Sequence, residues 1–200
     1  YLAIHTLEEL DEYCYYVAGT VGFMLSELFF QYSPLISTKK FEQMKALANS
    51  FGLGLQITNI VKDIVEDYQR KTCFIPQELF AKHGLQLENF LNPENEEQSL
   101  KVVHELVAKA LDHLRDAMDF TLLIPRLEPR IRLFCLWPLM MALATLKKII
   151  TDNKVLSQEK VKITRKEVKK IISQTTYRCL SNSSLNKLFD RYANPIQEKL

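Results

Sequence analysis

The sequence predicts an all-α fold, and three features of its composition and patterning support this prediction. Glycine and proline are few, 5 and 7 of 200 residues, which is typical of long helices and not of strands joined by turns. Apolar residues recur at intervals of three and four over long stretches, as in helices with one buried face. Hydrophobic residues make up 47% of the chain, enough for one globular domain over residues 1–200 with a substantial core.

Charge and cysteine usage exclude several classes of protein. The net charge is +2 and no strongly basic stripe precedes the last third of the chain, so nucleic acid is not a predicted partner. The four cysteines show no CxxC spacing, which favours reduced thiols and a cytoplasmic location. The first residues are not expected to form a signal peptide, because Tyr1 leads into an acidic segment. The longest apolar run, residues 133–146, contains a proline and is too short to span a bilayer, so it predicts a buried core helix.

Residues 6–30 are predicted to form the first long helix. Thr6 is a candidate N-cap, and acidic residues follow in the first turn. The middle of this helix, YCYYVAGTVG, contains Gly19 and Gly22, and each glycine inside a helix costs roughly 1 kcal/mol relative to alanine. Two such glycines indicate a close approach, either by another helix or by a ligand.

Residues 39–68 are predicted to form the second long helix, after a connection at residues 33–38. One face of this helix carries short polar side chains, with Glu66 at its edge, and the opposite face is apolar. The polar face consists of Gln56, Asn59, Asp63 and Asp67, and the apolar face of Ile57, Ile60, Val61 and Ile64. Oxygen-bearing side chains one turn apart suit Mg²⁺, which is commonly held by one or two carboxylates and bridges to substrate phosphates. The alternative is a solvated acidic face without a ligand.

The segment QRKTCFIPQELF, which begins at residue 69, is predicted to end the second helix. Pro76 is expected at the first position of a short helix that follows. Arg70 and Lys71 lie just beyond the acidic face, where their charges could meet a diphosphate released from a metal site. The alternative is a basic pair that is favoured only by the dipole of the preceding helix.

The rest of the chain predicts a loop, two further long helices and a basic segment. Residues 89–99 are polar and form the loop, and residues 100–123 carry the third helix. Three aspartates of this helix are interleaved with basic side chains and are interpreted as a solvated face: Asp112, Asp116 and Asp119. Residues 130–148 predict a buried helix kinked near Pro138. The Lys-rich stretch that follows leads into a short amphipathic helix, and it is interpreted as a solvated basic face or as a surface that contacts a membrane.

Five stretches also resemble one known family. They are YCYYVAGTVG, ANSFGLGLQITNIVKDIVEDY, FIPQELF, LFCLWPLMMALATL and VKITRK. These segments are similar, in this order, to motifs of the squalene/phytoene synthase family, the head-to-head trans-prenyltransferases, and the last two are closer to its squalene synthase branch. The resemblance implies an isoprenoid-synthase bundle of long antiparallel helices around an apolar cavity.

The resemblance also implies roles for individual residues. Tyr13 would lie at the reacting diphosphate and carbocation, and Phe134 would act in the second, reductive half-reaction. The implied metal ligands, which hold Mg²⁺, are Asn59, Asp63 and Asp67. The implied substrate-binding residues are Gln56, Val17, Ala18, Val21, Gly22, Lys62, Arg70 and Lys71. The implied contacts with the NADPH phosphate are Lys162 and Arg165.

The activity implied is that of a transferase that joins two farnesyl diphosphates to presqualene diphosphate and reduces this intermediate to squalene with NADPH. Three positions depart from the family pattern: Lys62 and Thr72 stand where arginine is common, and Leu139 where glutamine is common. The family's first acidic motif is not found before Tyr13. The sequence is therefore expected to be the C-terminal portion of a longer enzyme, inactive alone, monomeric, and either cytoplasmic or in peripheral contact with the cytosolic face of a membrane.

Two alternatives to squalene synthesis stay open. A dehydrosqualene or phytoene synthase would share the fold but carry out no net reduction. A non-catalytic family member could instead act as an assembly or interaction protein. Retention of Asn59, Asp63 and Asp67 argues against this second alternative, because a protein without catalytic function need not keep metal ligands.

Overall fold

Helices make up nearly all of the regular structure in the computed structural model, which describes residues 2–152, 154–157 and 160–200. The prediction of an all-α fold is confirmed. The helices are α1 (Leu7–Cys14), α2 (Thr20–Tyr32), α3 (Thr38–Lys62), α4 (Ile64–Gln69), α5 (Gln77–Lys82), α6 (Glu96–Leu123), α7 (Pro129–Asp152), α8 (Arg165–Arg178) and α9 (Asn182–Gln197). Two short strands, β1 (Leu2–Ala3) and β2 (Thr72–Cys73), pair in parallel.

The first predicted helix begins as expected but is not continuous. The Thr6 hydroxyl accepts a hydrogen bond from the Glu9 N–H at 3.2 Å, so Thr6 caps α1. A π-helical turn, Tyr15–Gly19, separates α1 from α2, and α2 continues to Tyr32. The prediction of one helix over residues 6–30 is therefore wrong in this detail. A π turn holds one residue more than an α turn, which lets the chain change the direction of its side chains without leaving the helix.

The glycines of this region bring two helices into direct contact. A β-carbon on Gly22 would lie 2.0 Å from the backbone oxygen of Ala48 in α3, and one on Gly52 would lie 2.4 Å from the oxygen of Ala18. Neither distance leaves room for a side chain. Of the two alternatives for these glycines, a close approach by another helix is confirmed for Gly22.

Helix α3 lies at the centre of the fold. It packs most extensively on α6, and it also contacts α1, the π turn, α2 and α7. The fully buried side chains around it include Leu10, Met44, Ile57, Val61, Leu106 and Leu114. The second predicted helix was expected to reach Tyr68, but α3 ends at Lys62 and Asp63 leaves helical geometry, with φ −101° and ψ 12°. The acidic stretch is thus divided between α3 and α4.

The first residues of the chain are bound to the segment after α4, and we call this contact the N-terminal clasp (residues 2–7 with 72–78). Beyond the two strands, the Gln77 N–H donates to the Ile4 oxygen at 2.9 Å, and the Leu7 N–H donates to Glu78 Oε1 at 2.6 Å. Pro76 precedes α5 as its N-cap, with φ −58° and ψ 134°, and does not occupy its first helical position as expected. The clasp holds in place the stretch that carries Arg70 and Lys71.

The described part of the C-terminal half contains the helices α6 to α9, and two of them are longer than expected. Helix α6 begins at Glu96, before the predicted start at residue 100, because a 3₁₀ turn at Pro93–Asn95 leads directly into it. Helix α7 has 24 residues, so among the described residues it alone is long and apolar enough to cross a bilayer, although 61% of its most apolar window is buried in the fold. The burial agrees with the prediction of a core helix. The short amphipathic helix corresponds to α8.

Candidate functional site

Three side chains lie close together: Tyr13 of α1, Gln56 of α3 and Phe74, which follows β2. The Tyr13 ring stacks on Phe74 with centroids 4.7 Å apart, and the side chain of Gln56 lies near the Tyr13 hydroxyl. Burial raises the pKa of Tyr13, with further increases from Cys14 and from the charge of Asp67, against a decrease from the Gln56 hydrogen bond. The Tyr13 hydroxyl therefore keeps its proton at neutral pH and can donate a hydrogen bond to an anion.

A second group forms at the break between α3 and α4. Lys62 Nζ lies 3.2 Å from Asn59 Oδ1 and 3.2 Å from Asp63 Oδ2, so one ammonium group bridges both oxygens. Asn59 is exposed, and Asp63 is partly exposed. The amide and carboxylate oxygens are accessible to a ligand that competes with Lys62.

Asp67 interacts electrostatically with both groups, through Tyr13 in the first and Asp63 in the second. Burial raises its pKa, and the negative charge of Asp63 raises it further, while Arg70 and Lys62 lower it. The carboxylates of Asp63 and Asp67 thus repel each other, and a divalent cation would relieve this repulsion.

The donor set fits Mg²⁺. Asn59, Asp63 and Asp67 supply only oxygen ligands, which is the preference of this hard cation. The set contains only two carboxylates, and across the described ranges no three or more His, Cys, Asp or Glu side chains are grouped so as to hold a metal by themselves. Two carboxylates and one amide would leave positions for water and for phosphate oxygens, as is usual for Mg²⁺.

The basic side chains near this site differ in what they contact. Glu66 Oε1 accepts a hydrogen bond from Arg70 Nη2 at 2.6 Å, and Glu66 Oε2 accepts one from Lys160 Nζ at 2.6 Å. The hydrogen bond from Lys160 is the main reason that the pKa of Glu66 is lowered, and the charges of Lys160, Arg70 and Lys162 add to the effect. Lys162 therefore lies near the acidic stretch, whereas Arg165 is the exposed first residue of α8.

Lys71 adopts a left-handed backbone conformation, with φ +58°, and it is the one residue other than glycine with a positive φ in the described part of the chain. We expect Lys71→Gly to stabilise the protein by about 1 kcal/mol, because an L residue in this conformation costs roughly 1–2 kcal/mol and glycine adopts it freely. The greater freedom of glycine in the unfolded chain offsets part of the gain. Urea unfolding measures the change. Lys71→Ala, which keeps the strain, serves as the control, and equal stability of the two variants would contradict the explanation.

The residues expected to line a prenyl cavity fall into two environments. Val17 and Val21 are 48% and 43% exposed, and Phe134 of α7 is 55% exposed with its ring edge-on to Phe29 at 6.1 Å. Gly22 is buried against α3, so its observed role is helix packing, and its place in a cavity stays a prediction. Further exposed apolar side chains continue the surface of Val17 and Val21 along α2 and were missed in the sequence: Met24, Leu28 and Tyr32. Contiguous exposed apolar surface of this kind marks a ligand or partner site.

A Ser–His–Asp cluster lies outside this site and does not have the geometry of a catalytic triad. Ser50 Oγ donates to Asp116 Oδ2 at 2.8 Å, and His113 Nδ1 lies 3.2 Å from the same Oγ. Because the hydroxyl donates its proton to the carboxylate, the imidazole does not activate it as a base would. Asp116 is also not part of a solvated face, as the sequence suggested, since it joins α6 to α3.

Comparison with known proteins gives the same family for most of the chain. Residues 2–167 match the family described as squalene/phytoene synthase. The squalene synthase of Cyberlindnera jadinii is 36% identical over 194 residues, which are 97% of this chain and 42% of that protein. Squalene synthase 1 of Arabidopsis thaliana is 35% identical, over 86% of this chain and 41% of that protein. The chain spans about two fifths of the length of these relatives.

Solved structures agree on the fold. A structure of TcSQS with the ligand BPH1237 superposes with a TM-score of 0.79 at 24% identity, over 99% of this chain and 63% of that one. A second structure of TcSQS, with the ligand E5700, gives a TM-score of 0.78 at 25% identity, also over 99% and 63%. The observed helical arrangement is therefore that of a known all-α fold.

Proposed function

Because the chain belongs to the squalene/phytoene synthase family, we propose that the complete protein is a squalene synthase. It joins two farnesyl diphosphates head to head through presqualene diphosphate and then reduces this intermediate to squalene, with Mg²⁺ and NADPH as cofactors. The observation that carries this proposal is the convergence of Tyr13, Gln56 and Asp67 beside the Asn59–Asp63 group.

The acidic residues and their basic neighbours would bind the diphosphate group. Asn59, Asp63 and Asp67 would hold Mg²⁺, which when bound supplies the positive charge that helps a diphosphate leave. Lys62 would exchange its contact with Asp63 for a diphosphate oxygen, and Arg70 would add a second cation at the same end of the site.

Tyr13 would donate a hydrogen bond to the reacting diphosphate while Gln56 fixes the direction of its hydroxyl. The ring of Tyr13 and the stacked ring of Phe74 also offer an aromatic face close to that position. A cation that develops there is attracted to the negative face of the rings. Tyr13 would thus stabilise both the diphosphate leaving group and the carbocation.

The exposed apolar side chains would take up the prenyl chains. Val17 and Val21 are exposed on this surface, Ala18 and Gly22 would complete its lining, and Phe134 lies on α7 with its ring edge-on to Phe29. Their shared role is to exclude water from reactive carbon atoms, because a carbocation that meets water is lost as an alcohol.

The basic segment before α8 would bind the reductant. Lys162 and Arg165 would contact a phosphate group of NADPH, and NADPH supplies the hydride. The charge of Lys162 acts on Glu66, one residue from Asp67, so the reductant would lie on the side of the site where the diphosphate is held.

The acidic site of this chain contributes two aspartates and one amide. We therefore propose that residues 1–200, one isoprenoid-synthase domain, need a second acidic group for turnover and are inactive alone. The protein would work as a monomer in the cytoplasm or at the cytosolic face of a membrane. The basic stretch that leads into α8 suits peripheral contact with anionic lipid headgroups.

The test is to incubate the complete protein encoded by the gene with farnesyl diphosphate and Mg²⁺, with and without NADPH, and to identify the products. We expect squalene only with NADPH, and presqualene diphosphate to accumulate without it. The 200-residue chain alone serves as the matched sample and is expected to form neither.

Other outcomes would replace the proposal. Dehydrosqualene or phytoene formed regardless of NADPH would assign the protein to the branch without net reduction. Absence of any product from the complete protein would favour an interaction protein. Turnover by the 200-residue chain would overturn the requirement for a second acidic group.

A further inference from the structure

One carboxylate joins two distant parts of the chain beside the metal-binding residues. Glu66 Oε1 accepts from Arg70 Nη2 on its own helical stretch, and Glu66 Oε2 accepts from Lys160 Nζ, which is 94 residues further along the chain. Both distances are 2.6 Å, so both oxygens are bound to a cation. Asp63 has one oxygen paired with Lys62, and Asp67 has its pKa raised. Glu66 is therefore bound differently from the two aspartates on either side of it.

The contact forms one wall of a cleft. A cavity of about 300 Å³ lies between α4 and the segment before α8, and it is lined by Lys62, Asp63, Glu66, Arg70, Val155 and Lys160. Three of these side chains are cationic, and the charge of a fourth cation, Lys162, also acts on Glu66. Without the carboxylate of Glu66, these like charges would repel one another across the cleft.

The free energy of the contact is small. Ion pairs that are open to solvent contribute little to folding, because water and salt screen them. Glu66, Arg70 and Lys160 are all partly exposed. A substitution at Glu66 is therefore expected to alter the position of the segment that carries Lys160 and Lys162 without unfolding the protein.

We propose that Glu66 is a positioning residue and not a metal ligand. It binds Lys160 directly and thereby holds the segment that carries Lys162 beside the acidic helix, so that these cations face the phosphate of the reductant while the diphosphate is bound at Asp63 and Asp67. This inference rests on the proposed squalene synthase activity. It adds that the reductive half-reaction depends on Glu66, whereas the first condensation does not.

The first measurement is independent of turnover. In the complete protein, Glu66→Gln removes the charge and keeps the shape of the side chain. We expect hydrogen exchange at residues 160–163 to become faster, and the affinity for NADP⁺, measured by calorimetry, to fall about fivefold, the size expected from loss of an exposed ion pair. Glu97→Gln, which breaks the exposed pair of Glu97 with Lys101 on α6, is the matched control and should change neither quantity.

The second measurement separates the two half-reactions. We expect Glu66→Gln to raise the KM for NADPH about fivefold and to leave presqualene diphosphate formation without NADPH within about twofold. Lys160→Gln should raise this KM further, because it removes the contact with Glu66 and also a cation that faces the phosphate. The double variant should be no worse than Lys160→Gln alone, because Glu66 acts through Lys160.

Each contrary result has a defined meaning. A loss of presqualene diphosphate formation in Glu66→Gln as large as that in Asp63→Asn, assayed in parallel, would make Glu66 a metal ligand and overturn the proposal. Unchanged hydrogen exchange and NADP⁺ affinity would overturn it as well. Absence of NADP⁺ binding and of squalene in the unmodified protein would instead refute the proposed reductive function, on which the role of Glu66 depends.

Discussion

We expect Asp63→Asn and Asp67→Asn each to lower the rate of presqualene diphosphate formation about 10³-fold. Each substitution keeps the size of the side chain and removes one of the two negative charges that would hold Mg²⁺. A metal ion that neutralises a leaving group is worth several kcal/mol in the transition state, and about 4 kcal/mol corresponds to a factor of 10³. Single-turnover assays with farnesyl diphosphate in the complete protein measure the rate.

Two controls accompany this result. Asp112→Asn removes the charge of an exposed aspartate on α6, and it should leave the rate unchanged. The Mg²⁺ concentration at half-maximal activity should rise in Asp63→Asn and Asp67→Asn but not in Asp112→Asn. A rate within tenfold of the unmodified protein in both site variants would exclude these aspartates as the metal ligands. The acidic stretch would then be interpreted as a solvated helix face.

The second large effect is a loss of stability, although helix propensity alone predicts a gain for the same substitution. Inside a helix, Gly→Ala is favourable by about 1 kcal/mol. We nevertheless expect Gly22→Ala to lower the free energy of unfolding by about 2 kcal/mol. The new β-carbon would lie 2.0 Å from the backbone oxygen of Ala48 and 2.8 Å from its carbonyl carbon, so α2 would have to move away from α3. Urea unfolding measures the difference.

Gly84→Ala provides the matched comparison for Gly22→Ala. Gly84 has φ +69°, and a β-carbon there would meet nothing within 4 Å. Its loss, about 1 kcal/mol, comes from backbone conformation alone. If Gly22→Ala stabilised the protein, the contact between α2 and α3 would be looser than the structure indicates.

Most of the helical fold could be predicted because apolar periodicity and capping residues act locally. Thr6 caps α1 through a hydroxyl three residues from its partner, and such an effect is visible in a short window of sequence. The interruptions were missed because they depend on tertiary contacts. The π turn at Tyr15–Gly19 lies where α3 approaches closely, and the break at Asp63 is followed by one short helix, α4, before the segment that the clasp binds.

The site shows the same division between local and distant effects. The sequence predicted the grouping of Asn59, Asp63 and Asp67 from their spacing, but it did not predict that the helix breaks at Asp63. The hydrogen bond from Lys160 to Glu66 crosses 94 residues, and no local pattern specifies it. The stacking of Tyr13 on Phe74 likewise depends on the packing of distant elements, although both residues lie in the motifs that suggested the family.

The N-terminal clasp has a consequence for the order in which the protein folds. Its strands pair Leu2 with Thr72, so they close a loop of 70 residues, and the entropy of closing such a loop must be overcome before the contact becomes favourable. Tyr13, Gln56 and Asp67 all lie inside this loop. We therefore expect the diphosphate site to assemble late, after α3 has docked on α6. A ligand bound there would slow the reopening of the loop, and so substrate would protect the folded state kinetically as well as react in it.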